Sequence, residues 1–403
     1  MSTNTNVDKR CTGEIGAMMP VIAPLPIEVV GSDGNHLITA DGKRLLDFWS
    51  DEGVSSLGYG HSIVQQELRK FAESGYPVHC PQMFPNKVRN HVTKLITQAV
   101  GFETIFFGNS GAEANEAAIK LARRAKFNAG DGRRKIYTVT GNFHGRTGFA
   151  LAASDSTDSP YHLWGYDPIP KGFGVADTPG DVDWEECAAV IMAPILGNNC
   201  IKTYPKEQIQ AWRDACDEHG AFLIFDEIQV GMGRTGYAAA WQGIGVKPDI
   251  VTFGKGIAAG VPMGACCADG WAKDVFTPGV HFSTFGGNIL ALHMASVVLA
   301  YIEAHAQRIK DDGEHVRNRL SELEWIKHVD GAGIHNAFQV NFDVVGYDGY
   351  DFIHEARNHG ILLCSHRRHG PIRFTPPLTI TRDEINTAIG ALVATHVSLT
   401  QGE

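Results

Sequence analysis

Two residues of this chain could do chemistry together. Asp226 and Lys255 stand 29 positions apart (255 minus 226) within LIFDEIQVGMGRTGYAAAWQGIGVKPDIVTFGKG, residues 223–256. One apolar run ends in Asp226-Glu227, and a glycine-rich loop follows. A second run, Asp249 to Phe253, ends in Gly254-Lys255-Gly256. Ligands of α/β proteins sit at the carboxyl ends of sheet strands, so two such strands would present a carboxylate and an amine there. The pairing suits a pyridine-based electron sink. A buried carboxylate keeps the ring nitrogen protonated, while a lysine holds an aldehyde as a Schiff base and then shuttles a proton. Taken singly, each residue reads more simply as a strand-end acid in an ion pair and a solvated lysine.

The elements that must position this pair follow an alternating pattern. TIFF (104–107) precedes Gly108-Asn109-Ser110-Gly111 and a helix pattern from Glu113 to Lys126. IYTVT (136–140) precedes Asn142-Phe143-His144-Gly145, and AAVIMAP (188–194) reads as another buried strand. Lys206 to His219 predicts an amphipathic helix with Ile209, Trp212 and Cys216 on one face and Gly220 as its stop. AFLIFD, DIVTF and PMGACCA complete the strand set. Alternating apolar runs and helices imply a mostly parallel sheet covered on both faces. Before it, Asp41-Gly42 between apolar runs signals a hairpin. Residues 63–99 read as helical, with breaks near Gly75-Pro77 and Pro81–Pro85. From Leu290 to Glu324 the pattern is helical. Short strands near Phe338–Val340 and Ile372–Phe374 and helices at Tyr350–His359 and Arg382–Leu399 make a smaller α+β unit.

Composition narrows the class. The chain has 403 residues, 43% hydrophobic and 20% charged, enough for a large core with two subdomains. A net charge of -10 without a long basic run argues against nucleic acid. Eight cysteines without a C-x-x-C pair read as buried thiols of a reducing compartment. The first residues lack a signal-peptide core, and no apolar stretch approaches the ~20 residues that span a bilayer. The expectation is a soluble cytosolic protein without a membrane partner.

Six motifs in register, SGAEANEAAIKLAR, NFHGRTG, DEIQVGMGRTG, PDIVTFGKG, STFGGN and IRFTPPL, resemble the class III (ω-type) pyridoxal-phosphate aminotransferases, nearest the acetylornithine and ornithine aminotransferases. The resemblance implies a PLP-dependent transferase of fold type I. Its large domain would hold a mostly parallel seven-stranded sheet and its small domain would be α+β. The divisions would fall at 1–50 (an N-terminal segment joining the small domain), 51–290 (the cofactor domain) and 291–403 (the small domain).

It also implies roles for named residues. Gly111 and Ala112 would donate to the phosphate of pyridoxal 5'-phosphate, with Ser110 beside them; free amides at a helix start suit that task. Phe143 would stack on the cofactor ring, Asp226 pair with its nitrogen, Gln229 bond its phenolic oxygen and Lys255 carry its aldehyde. Thr284 would reach the phosphate of a second subunit, making a homodimer with shared sites. Ser283 would contribute to substrate contacts, and Arg146 and Arg373 would bind substrate carboxylates. Glu116 reads as structural, and no metal is expected.

Two departures stand out. Ile22 occupies the place of a family tyrosine. In ILGNNC, Leu196 and Asn198 replace a Gln and a Glu, the latter of which pairs with the α-carboxylate arginine while an ω-amine binds. An asparagine cannot neutralise a guanidinium, so Arg373 is expected to stay available throughout and the ω-selective switch to be weakened or absent. Phe282, in place of a glycine, would narrow the entrance. The leading expectation is an aminotransferase that moves an amino group from an amino acid or amine donor to 2-oxoglutarate or pyruvate in two half-reactions, with altered donor specificity. An uncovered Arg373 also fits an amino-acid racemase or epimerase. A cofactor-holding protein without turnover is disfavoured by the intact Asp226, Lys255, Phe143 and Arg373.

Overall fold

The structure, a computed structural model, describes residues 13, 16–19, 21, 23–155, 165–197 and 201–401. Its strands in chain order are β1 (Val29–Asp33), β2 (His36–Thr39), β3 (Arg44–Asp47), β4 (Thr104–Gly108), β5 (Lys135–Val139), β6 (Phe173–Ala176), β7 (Cys187–Met192), β8 (Ile195–Leu196), β9 (Lys202–Thr203), β10 (Phe222–Asp226), β11 (Ile250–Phe253), β12 (Gly264–Ala268), β13 (Ile326–Ala332), β14 (His335–Val340), β15 (Ile361–Leu362) and β16 (Ile372–Phe374).

Seven of them form one sheet in the order β4-β12-β11-β10-β7-β5-β6. Only β12 runs against its neighbours; the pairs from β11 through β10, β7 and β5 to β6 are parallel. Every residue of β7, β10, β11 and β12 is buried. That explains their unbroken apolar runs, because helices cover both faces of such a sheet. The helix Gly111–Asn128 lies on one face, against β4, β7, β10, β11 and β12. The helix Lys206–His219 buries Ile209, Trp212 and Cys216 as its spacing predicts, and Gly220 closes it in the left-handed conformation.

The described residues form three smaller sheets besides, one of them the antiparallel pair β8-β9. β2 and β3 form the hairpin signalled by Asp41-Gly42, β1 pairs antiparallel with β2, and β15 joins parallel to β3. β13-β14-β16 is antiparallel. β1, β6, β8, β9, β13 and β15 have no counterpart in the sequence reading: β6 is a four-residue edge, β1 and β13 contain no buried residue, and β8, β9 and β15 are two residues long. The helix Ile289–Ser321 corrects one expectation. An 18-residue window of it reaches a mean hydropathy of 1.5, apolar and long enough to cross a membrane by composition. Here it packs on the helix Lys87–Val100 and on β13 and β14, so the apolar face serves the core.

Candidate active site

Asp226 is the last residue of β10 and lies in register with Thr252 of β11. Three residues beyond Thr252, Lys255 opens a single 3-10 turn, Lys255–Ala258. The acid and the amine therefore leave adjacent parallel strands at the same end. Asp226 is buried and fully engaged. Its Oδ2 accepts from Asn115 Nδ2 at 2.8 Å and lies 2.7 Å from His144 Nδ1, and its Oδ1 accepts from the Ile228 amide at 3.0 Å. The carboxylate makes Nδ1 the protonated nitrogen of His144, leaving Nε2 to accept from Thr138 Oγ1, 3.1 Å away. Asn115 is locked in turn by Thr252 Oγ1 at 2.7 Å and by the His144 carbonyl at 2.8 Å. Sequence reasoning assigned no role to His144 or Asn115. Both are short polar residues inside motifs, and only their burial against Asp226 marks them.

Glu227 faces other partners. Its carboxylate accepts from the amides of Ala240 and Trp241 at 2.5 and 2.9 Å, capping the helix Ala240–Ile244. Burial pushes it up to about 7, against those two amides, with Asp226 adding in the same direction. A raised carboxyl stabilises the fold below its unfolded value, and that stability is lost as pH rises through about 7. The window spans the ordinary glutamate value to about 7, worth about 3 kcal/mol at 1.36 kcal/mol per unit. Urea midpoints measured from pH 4.5 to 8 are expected to fall across that window in the wild type and to fall less in Glu227→Gln. Equal slopes in the two proteins would refute the assignment.

Lys255 holds a left-handed φ of 46°, a conformation that costs a non-glycine residue about 1–3 kcal/mol. Burial lowers its pKa first, and the Arg373 charge adds to that; Glu52, Asp226 and Asp51 pull the other way. A lysine so depressed is more readily neutral, and hence basic.

The glycine turn after β4 leans on the same strand ends. Ser110 caps the helix Gly111–Asn128, its Oγ accepting from the Glu113 amide at 3.2 Å. Gly111 and Ala112 supply the first helical amides, which have no carbonyl a turn earlier. The approach is close: a Cβ on Gly264 would fall 2.0 Å from the Ser110 carbonyl oxygen, and one on Gly254 3.1 Å from Gly111 Cα. Asn109 Nδ2 donates to Glu113 Oε2 and Ser283 Oγ, both at 3.0 Å, so Ser283 adjoins this turn. Thr284 beside it is exposed, as is Phe282. Glu116 Oε1 accepts from Thr147 Oγ1, Phe149 N and Ala150 N, tying the loop that carries Phe143 to the cradle helix, a structural role as expected. Phe143 is half-buried, and the exposed Arg146 guanidinium lies 5.0 Å from its ring centroid.

Arg373, on β16, is 3% exposed. Its Nη2 donates to the Gly197 carbonyl at 2.5 Å, and its Nη1 forms an ion pair with Glu52 Oε2. The expectation of an uncovered arginine is therefore wrong. The acid missing at position 198 is supplied from the turn after β3, and Arg373 holds the Glu52 carboxylate well below the usual range against the cost of burial. No spacing rule links residues 321 positions apart, so the sequence carried no signal for this pair. Gln229 Nε2 also donates to Glu52 Oε2, at 3.1 Å. Ile22 and Asn198 lie outside the described residues.

Comparison with known proteins settles the family. The family model Aminotransferase class-III matches residues 18–395. This chain belongs to the class III aminotransferases. It is similar to the acetylornithine aminotransferase of Caldanaerobacter subterraneus subsp. tengcongensis, 35% identical over 91% of this chain and 94% of that protein. It is 33% identical to the acetylornithine aminotransferase of Bacillus subtilis, over 93% of this chain and 97% of the relative. Among solved structures, the ornithine aminotransferase of Toxoplasma gondii ME49 superposes with a TM-score of 0.85 at 28% identity, covering 94% of this chain and 92% of that one. As a class III aminotransferase of fold type I, the protein is a pyridoxal-phosphate-dependent transaminase. Its residues fit that cofactor. The Gly111 turn opens a helix whose first amides have no carbonyl partner a turn earlier, and Asp226 is oriented by donors aimed at its own oxygens. The racemase alternative loses the uncovered Arg373 on which it stood.

Proposed function

We propose that this class III aminotransferase moves an amino group from an amine or amino-acid donor to a 2-oxo acid, 2-oxoglutarate or pyruvate, in two half-reactions. One observation carries the reading: Asp226 and Lys255 leave adjacent strands at the end against which the Gly111 cradle packs. The relatives named acetylornithine aminotransferase and ornithine aminotransferase support a donor of that kind. Pyridoxal phosphate, when bound, supplies the electron sink that stabilises charge on the substrate carbon bearing the amine.

The chain's residues do the rest. The amides of Gly111 and Ala112, with Ser110, hold the phosphate at the helix start, where the dipole favours an anion. Phe143 would cover the cofactor's ring face and exclude water. Asp226, oriented by His144 and Asn115, would keep a proton on its ring nitrogen. Gln229 would hydrogen-bond its phenolic oxygen. Lys255 would hold its aldehyde and, as the base of the site, move the proton of the substrate carbon. Arg373 receives the carboxylate of the 2-oxo acid as a bidentate fork, and Arg146 and Ser283 contact the far end of the substrate. Thr284, exposed on its own subunit, contacts the cofactor phosphate across a homodimer. The unit boundaries near residues 50 and 290 and a cytoplasmic location belong to the same reading.

The experiment is a titration of the purified holoenzyme with a panel of amines, followed by absorbance. Loss of the visible band on adding amine, and its return on adding 2-oxoglutarate or pyruvate, is expected. Loss of optical rotation from an amino acid with no 2-oxo acid requirement would refute the proposal.

A further inference from the structure

Cys364 and His366 have no part in the transfer chemistry, yet both converge on Glu52. The chain runs on from β15 as Leu363-Cys364-Ser365-His366. Cys364 forms an antiparallel bridge with Arg373, whose amide donates to the Cys364 carbonyl at 2.9 Å. Extended backbone alternates its side chains, so Cys364 and His366 share one side and Ser365 takes the other. Ser365 Oγ donates to the Arg367 carbonyl at 2.9 Å, which anchors that other side. The shared side faces Glu52. His366 Nε2 lies 3.1 Å from Glu52 Oε1, and Cys364 Sγ lies 4.0 Å from the same oxygen. One nitrogen, one sulfur and one oxygen thus lie within 4.8 Å of one another. Residues 312 positions apart carry no ligand-spacing signal, which is why the sequence gives no hint of a metal.

The acid is held in place for these two. Ser50, Asp51 and Glu52 have φ of 54°, 47° and 60°, three consecutive left-handed non-glycine residues. The buried Asp47 carboxylate pins them by accepting from the amides of Trp49 and Ser50 at 2.9 Å. Such strain persists only where the surroundings over-determine it. The Glu52 carboxylate is oriented as well. Its Oε2 engages Arg373 Nη1 and Gln229 Nε2, so Oε1 is the oxygen turned toward Cys364 and His366, with Trp49 Nε1 donating to it at 3.1 Å. Carboxylates that ligate metals are fixed by outer hydrogen bonds of this kind. The His366 side chain is 42% exposed and gives a path from solvent, while Cys364 is half-buried beneath it.

We propose that Glu52, Cys364 and His366 form a binding site for a borderline-soft divalent cation of the zinc type. Mixed sulfur, nitrogen and oxygen ligands select such an ion over magnesium or calcium, which take oxygen alone. Tetrahedral zinc bonds of about 2.0–2.3 Å place neighbouring ligand atoms about 3.2–3.7 Å apart, so the three groups need to move by less than about 1 Å. On binding, the Cys364 thiol gives its proton to solvent as sulfur bonds the metal. Neutral His366 binds through Nε2 and keeps its proton on Nδ1. Glu52 binds through Oε1 while Oε2 stays with Arg373 and Gln229. One thiolate and one carboxylate balance the dication, and a water completes the four-coordinate shell. The ion ties the turn after β3 to the segment after β15. Because the unfolded chain cannot hold all three ligands together, binding stabilises the folded protein.

The test uses the holoenzyme and zinc chloride, and none of its readouts is activity. Calorimetric titration is expected to show one zinc bound per chain and a thermal midpoint that rises with zinc. Cys364→Ser and His366→Gln should each weaken binding by about 100-fold or more, above what loss of an outer partner costs, and abolish the rise in midpoint. Zinc-soaked crystals of the wild type should carry an anomalous-scattering peak about 2.3 Å from Cys364 Sγ, which decides the matter even where a variant does not fold. Wild-type protein that binds no zinc would overturn the proposal. So would variants that bind as tightly as wild type, or an anomalous peak only elsewhere, since the ion would then be adventitious. Failure here leaves the aminotransferase reading intact, because the site is independent of the transfer chemistry.

Discussion

Lys255→Ala is expected to lower kcat/KM for every donor on the order of 10⁵-fold, the scale at which loss of an acting nucleophile-base is felt. The reason is that this one Nζ serves twice, as the amine that carries the aldehyde and as the base that moves the proton. No other described lysine is placed to stand in: Asp226, Glu52, Asp51 and Arg373 are the charges around Lys255, and none of them is an amine. The visible absorption of the resting enzyme should shift, because its lysine-linked chromophore cannot form. Overall folding should be preserved, since a left-handed φ of 46° costs alanine about what it costs lysine and the substitution removes a desolvated amine. Activity restored in part by an added small amine would identify the missing group as a base. A variant with an unchanged visible band would remove Lys255 from the site.

The second large effect belongs to Asp226→Asn. An amide has nearly the carboxylate's shape but no charge, so it cannot hold a proton on the facing ring nitrogen. The expected loss is about 10³-fold in kcat, in line with removal of a preorganised charge in a dry site. Binding should change less, because the phosphate cradle lies on the other motif. The amide nitrogen would also meet His144 Nδ1 or Asn115 Nδ2, both donors to the native oxygen, so the network must reorganise. Stopped-flow absorbance of the amine half-reaction separates the two quantities: a slow chemical phase with near-native cofactor affinity is expected. A wild-type rate for that phase would exclude Asp226 from the chemistry.

These expectations depend on features of unequal legibility. The central strands were readable because β7, β10, β11 and β12 are buried along their whole length, which makes nearly every step apolar and leaves the buried Asp226 and Thr252 as exceptions held by hydrogen bonds. The helix Lys206–His219 was readable to the residue, since its stop is a glycine in the conformation only glycine adopts cheaply. Edge strands such as β13 were not, because a strand whose residues are at most half-buried shows no clear alternation.

The site divides in the same way. Asp226, Lys255 and the Gly108–Ala112 turn announce themselves because each sits at the end of a strong apolar run or the start of a helix, where chemistry and local structure share a few adjacent residues. The alternation of strands and helices therefore determined the fold class, and six motifs in register carried the family resemblance that implies the cofactor. Tertiary structure decided which acid meets Arg373, which polar side chains orient Asp226, and that Glu227, though adjacent to Asp226, caps a helix instead of facing the lysine. These are contacts between side chains brought together from distant segments. Their energies depend on burial and distance in space, and neither quantity is encoded in the spacing along the chain.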